Sequence, residues 1–346
     1  MALSQLELSL IASCPVSRSI KERLLTHHAL LSDFSKDFCE HFHFPYEKMK
    51  PIFSSSFISK TESTLSKESI TVHSSHSQNY PSQLLQLTPL PLIIFMRGAL
   101  LVQPLISIVG SRNMTSYGGQ ILHSFIPRLV EAGCGVVSGL AFGVDALSHE
   151  ITLQHHGYTA AILPSGINND HMYPRSHFSL ANRIIESGGL LLSSFPLFHT
   201  PRKHDFLDRN KIITAISSFT LVVEASLQSG SLSTAAHAQK LGKPLGAIPG
   251  RISDLQSQGC LSLISRGALP ISSISQLLTH LSLTPTYTPN PSKDPIITHL
   301  LVNPATLEEL AILTEFSIPK LLENLTMLEL AHKVSLLPDG KYTAVC

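Results

Sequence analysis

The chain of 346 residues carries almost no net charge: 25 Lys and Arg stand against 24 Asp and Glu, a balance of +1. No global field draws it to nucleic acid, so any basic site must be local. Cysteines are few, five in all (Cys14, Cys39, Cys134, Cys260 and Cys346), and none forms a C-x-x-C. Their scatter argues against a disulfide framework or a zinc site and predicts free thiols in a reducing compartment. The 18 histidines are dispersed without H-E-x-x-H spacing; after His149-Glu150 the next histidine is His155. No metal is expected. An apolar run of membrane length is missing too, because the greasiest stretch, 84–110, is broken by Pro89, Pro91, Arg97 and Pro104. The first residues, Met1 to Glu7, lack the positive region of a signal peptide. The expectation is a soluble, cytoplasmic protein with no membrane partner.

What is present is ample core material, 43% apolar residues over a length that suggests two or three domains. The stretch from Leu105 to Asp145 organises the chain. Leu-Ile-Ser-Ile-Val-Gly-Ser-Arg (105–112) and Gly-Val-Val-Ser-Gly-Leu-Ala-Phe-Gly-Val-Asp (135–145) each begin as a β-branched run of strand length. Each ends in small residues where a new element must begin. That is the form of two parallel strands joined by a helix and buried on both faces.

The pattern continues in both directions. Further strands are expected over 91–98, 159–163, 190–193, 220–224 and, as the last, 245–248. Helices are expected over 118–132, 144–156, 178–187, 209–216 and 231–241. Alternation of this length predicts an α/β fold, an extended Rossmann-like doubly wound sheet, over residues 76–284. Residues 1–75 read as a small helical N-terminal domain, with Leu3, Leu6, Leu10 and Ile11 at helical spacing. Pro285, Pro289, Pro291 and Pro295 mark a linker. Residues 295–346 then offer a capping box at Thr306-Leu307-Glu308-Glu309, a helix after Ser317 and a hairpin turning at Pro338-Asp339-Gly340. Helix, helix, helix, hairpin is the plan of a C-terminal winged-helix domain.

In doubly wound sheets ligands bind beyond the carboxyl ends of the strands. A dinucleotide would need G-x-G-x-x-G, but counting from Gly110 the second and third glycine places hold Arg112 and Thr115. The strand ending at Ser138 also lacks the ribose-binding carboxylate. A glycine turn, a guanidinium and a hydroxyl-rich helix start make an anion site instead. Five loops share the predicted rim: Gly110-Ser111-Arg112, Ser138-Gly139 through Asp145, Pro164-Ser165-Gly166, Arg202 to Lys211, and Ser229-Gly230-Ser231. The last is a helix N-terminus rich in hydroxyls and amides, suited to phosphate. Arg202, Lys203, Arg209 and Lys211 bracket Phe206, which suits a single strand: charge for the backbone, a ring for the bases. Asp145, His149, Asp170 and Glu224 are acid–base candidates, but no G-x-S-x-G accompanies them. A buried Asp145 capping its helix is the cheaper account.

Ile108-Val109-Gly110-Ser111-Arg112, Ser138-Gly139-Leu140-Ala141-x-Gly143-x-Asp145 with His149, Phe206-x-x-Arg209-Asn210, Val223-Glu224-Ala225, Ser229-Gly230-Ser231 and Pro249-Gly250 resemble the DNA-processing protein A (Smf) family, in order and spacing. The resemblance implies a non-enzymatic, cofactor-free, homodimeric single-stranded DNA binder that protects incoming DNA and loads RecA recombinase in natural transformation. It places Arg112, Lys203 and Phe206 at the DNA, with Gly110, Ser111, Ser138, Gly139, Arg209, Lys211, Ser229, Gly230 and Ser231 around them. Lys211 stands where the family commonly has arginine, losing the planar fork but keeping the charge. The Tyr173-Pro174 loop departs in length. The alternative is a phosphoribohydrolase of the lysine-decarboxylase-like group. It would need Pro-Gly-Gly-x-Gly-Thr where this chain has Gln228-Ser229-Gly230-Ser231-Leu232-Ser233-Thr234.

Overall fold

Strand residues of the central sheet alternate between two apolar layers, which is what burial on both faces requires. Ile106 and Ile108 face one layer while Leu105 and Val109 face the other. The same alternation puts Val136 opposite Val137 and Leu191 opposite Leu190 and Leu192. This computed structural model describes residues 3–26, 30–283, 294–300, 304–314, 316–330, 333–337 and 340–344.

The sheet has nine strands among the described residues: β1 Thr71–Ser74, β2 Ile93–Arg97, β3 Leu105–Val109, β4 Gly135–Ser138, β5 Thr159–Ile162, β6 Leu190–Ser193, β7 Phe219–Val222, β8 Leu245–Ala247 and β9 Leu269–Pro270. Their order is β1-β2-β6-β5-β4-β3-β7-β8-β9. From β6 to β9 all neighbours are parallel, and β2 and β1 add an antiparallel edge. Helices Ser116–Glu131, Val144–Gln154, Phe178–Glu186 and Ile274–His280 supply one layer; Asp205–Ile216, Ser231–Lys240 and Gln258–Ser265 supply the other. The chain leaves β3 toward β4 and later returns to β3's other side as β7. The strand order therefore reverses between β3 and β7, and a crevice opens outside their carboxyl ends.

The α/β doubly wound core is as expected, with three differences. The strand over 245–248 is not the last, because β9 follows it. It is only two residues long and ends in Pro270, which an edge tolerates and a pattern search overlooks. β1 lies inside the segment read as helical; its half-buried alternation hides in serine-rich sequence. The helix expected from Arg209 starts a turn earlier at Asp205, whose carboxylate accepts the Arg202 N–H at 2.6 Å. That turn puts Phe206 and Arg209 on one helix.

Residues 1–284 form one compact unit and 285–346 a second. In the first, the N-terminal helices bury Leu8, Ile11, Leu24 and Met49 in the same core as Val72 and Phe95 of β1 and β2. The second has helices Pro295–Leu300, Leu307–Thr314 and Ile318–Leu330 and a hairpin pairing Val334–Leu336 with Tyr342–Ala344. Its core gathers Ile296, Leu310, Leu321, Leu325 and Val334. The capping box forms: the Thr306 amide donates to Glu309 at 2.8 Å and the Glu309 amide to Thr306 Oγ1 at 3.3 Å. The linker prolines Pro285, Pro289 and Pro291, the turn residues Pro338 and Asp339, and Cys346 lie outside the described residues. The other four cysteines are buried free thiols.

Candidate nucleic-acid interface

The loop after β3 is locked from both sides. A Cβ on Gly110 would meet the Val144 side chain at 2.6 Å, so only glycine lets the helix start at Val144 pack this close. Gly143 takes φ +71 and lies against the carbonyls of Ser111 and Arg112. The Val144 N–H donates to the Ser111 carbonyl at 3.2 Å. Glu224, buried beyond β7, accepts the Thr115 N–H at 2.8 Å and also the Thr115 hydroxyl. It fixes the start of helix Ser116–Glu131 from outside the helix, with a negative charge at the positive end of the dipole.

Beneath the rim lies a buried charged cluster. Arg209 is only 4% exposed, and its Nη1 donates to the carbonyls of Gly139 and, at 2.7 Å, Ile162. Burial pulls its pKa down to about 10, against the opposing pull of Asp145. Asp145 accepts the Gly139 and Ala141 amides at 3.1 and 3.4 Å, so it ties down the preceding loop rather than capping its own helix. Burial pushes its carboxyl up, while Arg209 and the amides hold it down. One turn along, His149 is fully buried with Nδ1 2.6 Å from Thr159 Oγ1. Burial, then the positive charge of Arg209 and the neighbouring His177, lowers its pKa to about 3, so the ring is neutral at physiological pH.

Above this cluster, at the β3/β7 crevice, is a cavity of about 380 Å³. Gly110, Ser111 and Arg112 line one side, Phe206, Arg209 and Asn210 another, and Ser229, Gly230 and Ser231 a third. Arg112 is exposed and sits over the Phe206 ring, 5.1 Å from its centroid. It makes no ion pair with a carboxylate among the described residues. Phe206 is half-buried, and it meets Tyr173 edge to face at 5.7 Å between centroids. A small depression of about 10 Å³ adjoins the cavity, bordered by Phe142, Tyr173 and Phe206 together with Gly139, Pro164 and Pro174.

The predicted site residues are not all brought to the cavity. Ser138 is fully buried, and its hydroxyl donates into the sheet, to the Ile108 carbonyl at 2.7 Å. Arg209 borders the cavity from a buried position, with its Nη1 engaged by backbone carbonyls. Lys211 faces away, held by Asp208 at 2.5 Å on the border of a different cavity near Arg18 and Lys21. The Ser229-Gly230-Ser231 nest is partly self-satisfied: the two hydroxyls are 2.7 Å apart and Ser229 Oγ accepts the Ser231 amide at 3.3 Å. Lys203 is exposed at the mouth of helix Asp205–Ile216, outside the cavity lining. Sequence reasoning missed Phe142, Tyr173, Asn113 and Gln256, which border the site. Only the two aromatics carried a signal, as large rings inside loops otherwise built of small residues.

The sequence model of the DNA recombination-mediator protein A family matches residues 71–282. The chain belongs to that family. It is 40% identical over 207 residues to Protein Smf of Escherichia coli, covering 59% of this chain and 55% of that one. It is 34% identical over 208 residues to DNA processing protein DprA of Bacillus subtilis, covering 59% and 69%. The chain thus spans little more than half the length of the E. coli relative. Its fold is similar to that of DNA processing protein A from Streptococcus pneumoniae, with a TM-score of 0.65 and 28% identity over 81% of this chain and 98% of that one. DNA processing protein A from Helicobacter pylori, whose structure concerns a single-stranded DNA binding mode, gives a TM-score of 0.54 at 30% identity over 61% and 98%. The matched span contains the whole cavity.

Proposed function

We propose that this protein binds single-stranded DNA at the β3/β7 crevice, with Arg112 on a phosphate and Phe206 under a base. The observation that carries the reading is the pairing of those two residues: a guanidinium with no carboxylate partner among the described residues, held over a half-exposed ring at the rim of a cavity lined by amides and hydroxyls. Gly110, Ser111, Ser229, Gly230 and Ser231 approach the backbone of the strand, and Lys203 adds charge at the entrance. The nearby carboxylates Asp145 and Glu224 accept backbone N–H groups, which favours a binding role over the acid–base work of a phosphoribohydrolase. Among the described residues no helix is long and apolar enough to cross a membrane, which suits a cytoplasmic role.

Within recombination mediation, the protein would protect incoming strands and load RecA recombinase during natural transformation, acting as a homodimer through its Rossmann-like domain. The helical segment 1–75 and the winged-helix segment 295–346 would serve as contact modules. Polarisation titrations with labelled oligo-dT and blunt duplex of equal length test the binding reading. Tight binding to the single strand with weak binding to duplex is expected. Equal affinity for both would overturn it.

A further inference from the structure

Two exposed rings beside the cavity are left over by the phosphate-binding reading. Phe142 is 46% exposed and Tyr173 40% exposed. Isolated exposed rings need no explanation, but these two wall one depression together with Phe206. Both stand on backbone that is held still. The loop carrying Phe142 is tied by Asp145 to the amides of Gly139 and Ala141 and by His177 Nδ1 to the Leu140 carbonyl at 2.8 Å. Leu140 is fully buried there at φ +57, a left-handed conformation that a branched apolar residue adopts only under constraint. The Phe142 ring itself rests on His177, edge to face at 4.7 Å.

Tyr173 is fixed in a similar way. Its N–H donates to Ser165 Oγ at 3.1 Å, and the Ser165 carbonyl accepts from Ser193 Oγ of β6 at 2.7 Å. Its neighbour Met172 is buried, so the chain on that side cannot swing out. Gly166 packs against the Leu197 carbonyl so closely that no Cβ would fit. The rings are therefore presented from rigid loops, with little entropy left to lose when a flat partner settles on them.

We infer that the exposed rings of Phe142 and Tyr173, at the mouth of this depression, form a second stacking surface, on which bases of the strand settle as it leaves the phosphate cavity past Phe206. This rests on the single-stranded DNA reading above. Continuity supports it, because Arg112, Phe206 and Arg209 border both the cavity and the depression. Chemistry supports it too. Three aromatic rings border the depression with glycine, alanine and proline, and the two arginines there are cations for phosphate; rings stack on any base and offer little for reading one. The site is thus sequence-tolerant.

The chain contains no tryptophan, so a single introduced indole reports its own surroundings. Tyr173→Trp and Phe142→Trp are titrated with oligo-dT, following tryptophan fluorescence and polarisation of the labelled oligonucleotide in parallel. Tyr158→Trp, just before β5 at the amino ends of the strands and so opposite the crevice, serves as the control. The expected result is quenching at positions 173 and 142 that saturates with the polarisation signal, and none at 158. Tyr173→Ala and Phe142→Ala should each weaken binding by about 5- to 150-fold, the range for losing one stacked base. Tyr173→Phe should bind as the wild type does, since stacking needs the ring and not the hydroxyl. Wild-type affinity in both alanine variants, or unquenched tryptophans in variants that still bind, would overturn the second site while leaving the first intact. A wild-type protein that binds no oligonucleotide would overturn both.

Discussion

The guanidinium of Arg209 occupies the space that a side chain on Gly139 would need. The same guanidinium donates to the Gly139 carbonyl, so the contact that excludes a Cβ is also a charge-assisted hydrogen bond. Helix Asp205–Ile216 and the loop after β4 are thereby set against each other, and Phe206 and Phe142 ride on the two elements so joined.

Two glycines of the rim should behave in opposite ways when given a methyl group. Gly139→Ala forces a buried cation out of its place and should lower stability by about 1–3 kcal/mol, the usual cost of overpacking. It should weaken DNA binding as well, because the loop must shift. Around a Cβ at Gly230 the space is open, and the residue has helical torsions, φ −62 and ψ −22. Gly230→Ala should leave stability within about 0.5 kcal/mol of the wild type. Denaturant titrations of both variants check the contrast, and equal losses would refute it.

Arg112→Ala should leave the melting temperature unchanged, since the side chain is exposed and pairs with no carboxylate among the described residues. It should weaken binding to all single strands about equally. The log–log salt dependence should flatten by ~0.7, the counterion release of one phosphate contact on a single strand. Titrations at several salt concentrations, wild type beside variant, measure this. An unchanged slope with intact folding would rule out the phosphate contact.

The parallel core was legible because strands buried on both faces read as unbroken β-branched runs, as in Leu105–Val109. The convergence of the loops around Gly110, Phe206 and Gly230 was legible from topology alone, since all three follow strand ends or open helices on one rim. What sequence could not supply was the direction of each side chain. Arg112 after β3 and Arg209 in helix Asp205–Ile216 are the same residue type bordering one cavity, yet one is exposed over a ring and the other is buried against carbonyls. That choice depends on Gly139 and Asp145, which are distant in the chain from Arg209. Lys211 turned away for a local reason, the carboxylate of Asp208 one turn before it. β9, with two residues, is too short to show a period, and the alternation of β1 is masked by the serine-rich sequence around it.

Stability should depend on pH through His149. Its folded pKa lies near 3, below the unfolded value of about 6.5, so the unfolded chain binds more protons between those values. The contribution is full above pH 6.5 and is lost as pH falls toward 3, at a slope of about 1.4 kcal/mol per pH unit from this one group. Asp145 acts in the opposite sense above pH 3.8, because its folded pKa is raised and the native state then holds the extra proton. Arg209 stays charged throughout the window, and His177 faces the same ring. Comparing wild type with His149→Gln cancels the Asp145 part to first order. The difference in unfolding free energy between the two should shrink steadily from pH 6.5 to pH 4. A constant difference would mean that the ring is not buried neutral.

The C-terminal unit should contribute little to DNA affinity. Residues 295–346 carry three lysines, Lys320, Lys333 and Lys341, against six carboxylates. Helix Ile318–Leu330, the one that would enter a groove in a winged-helix binder, carries one lysine and two glutamates. A helix against phosphates needs the opposite sign. Residues 1–284 form a compact unit of their own, so a chain ending there should fold and keep most of its oligo-dT affinity. Loss of most binding from a truncated protein that still melts cooperatively would assign the acidic unit a direct role.

Phe206 separates stacking from packing most cleanly. It is half-buried, with Arg112 over its ring and Tyr173 against it in a T-shaped pair. Removing the ring uncovers no deep cavity, so Phe206→Ala should cost far less than the 3–5 kcal/mol of a core phenylalanine. It should cost about 1–3 kcal/mol of single-strand affinity, through the lost base contact and through release of the guanidinium that the ring positions. Phe206→Leu keeps the apolar volume but not the π-face, so it should restore stability without restoring binding. Paired melting and polarisation measurements on the two variants decide the matter. If leucine recovers both, Phe206 acts by filling space, and the strand does not stack on it.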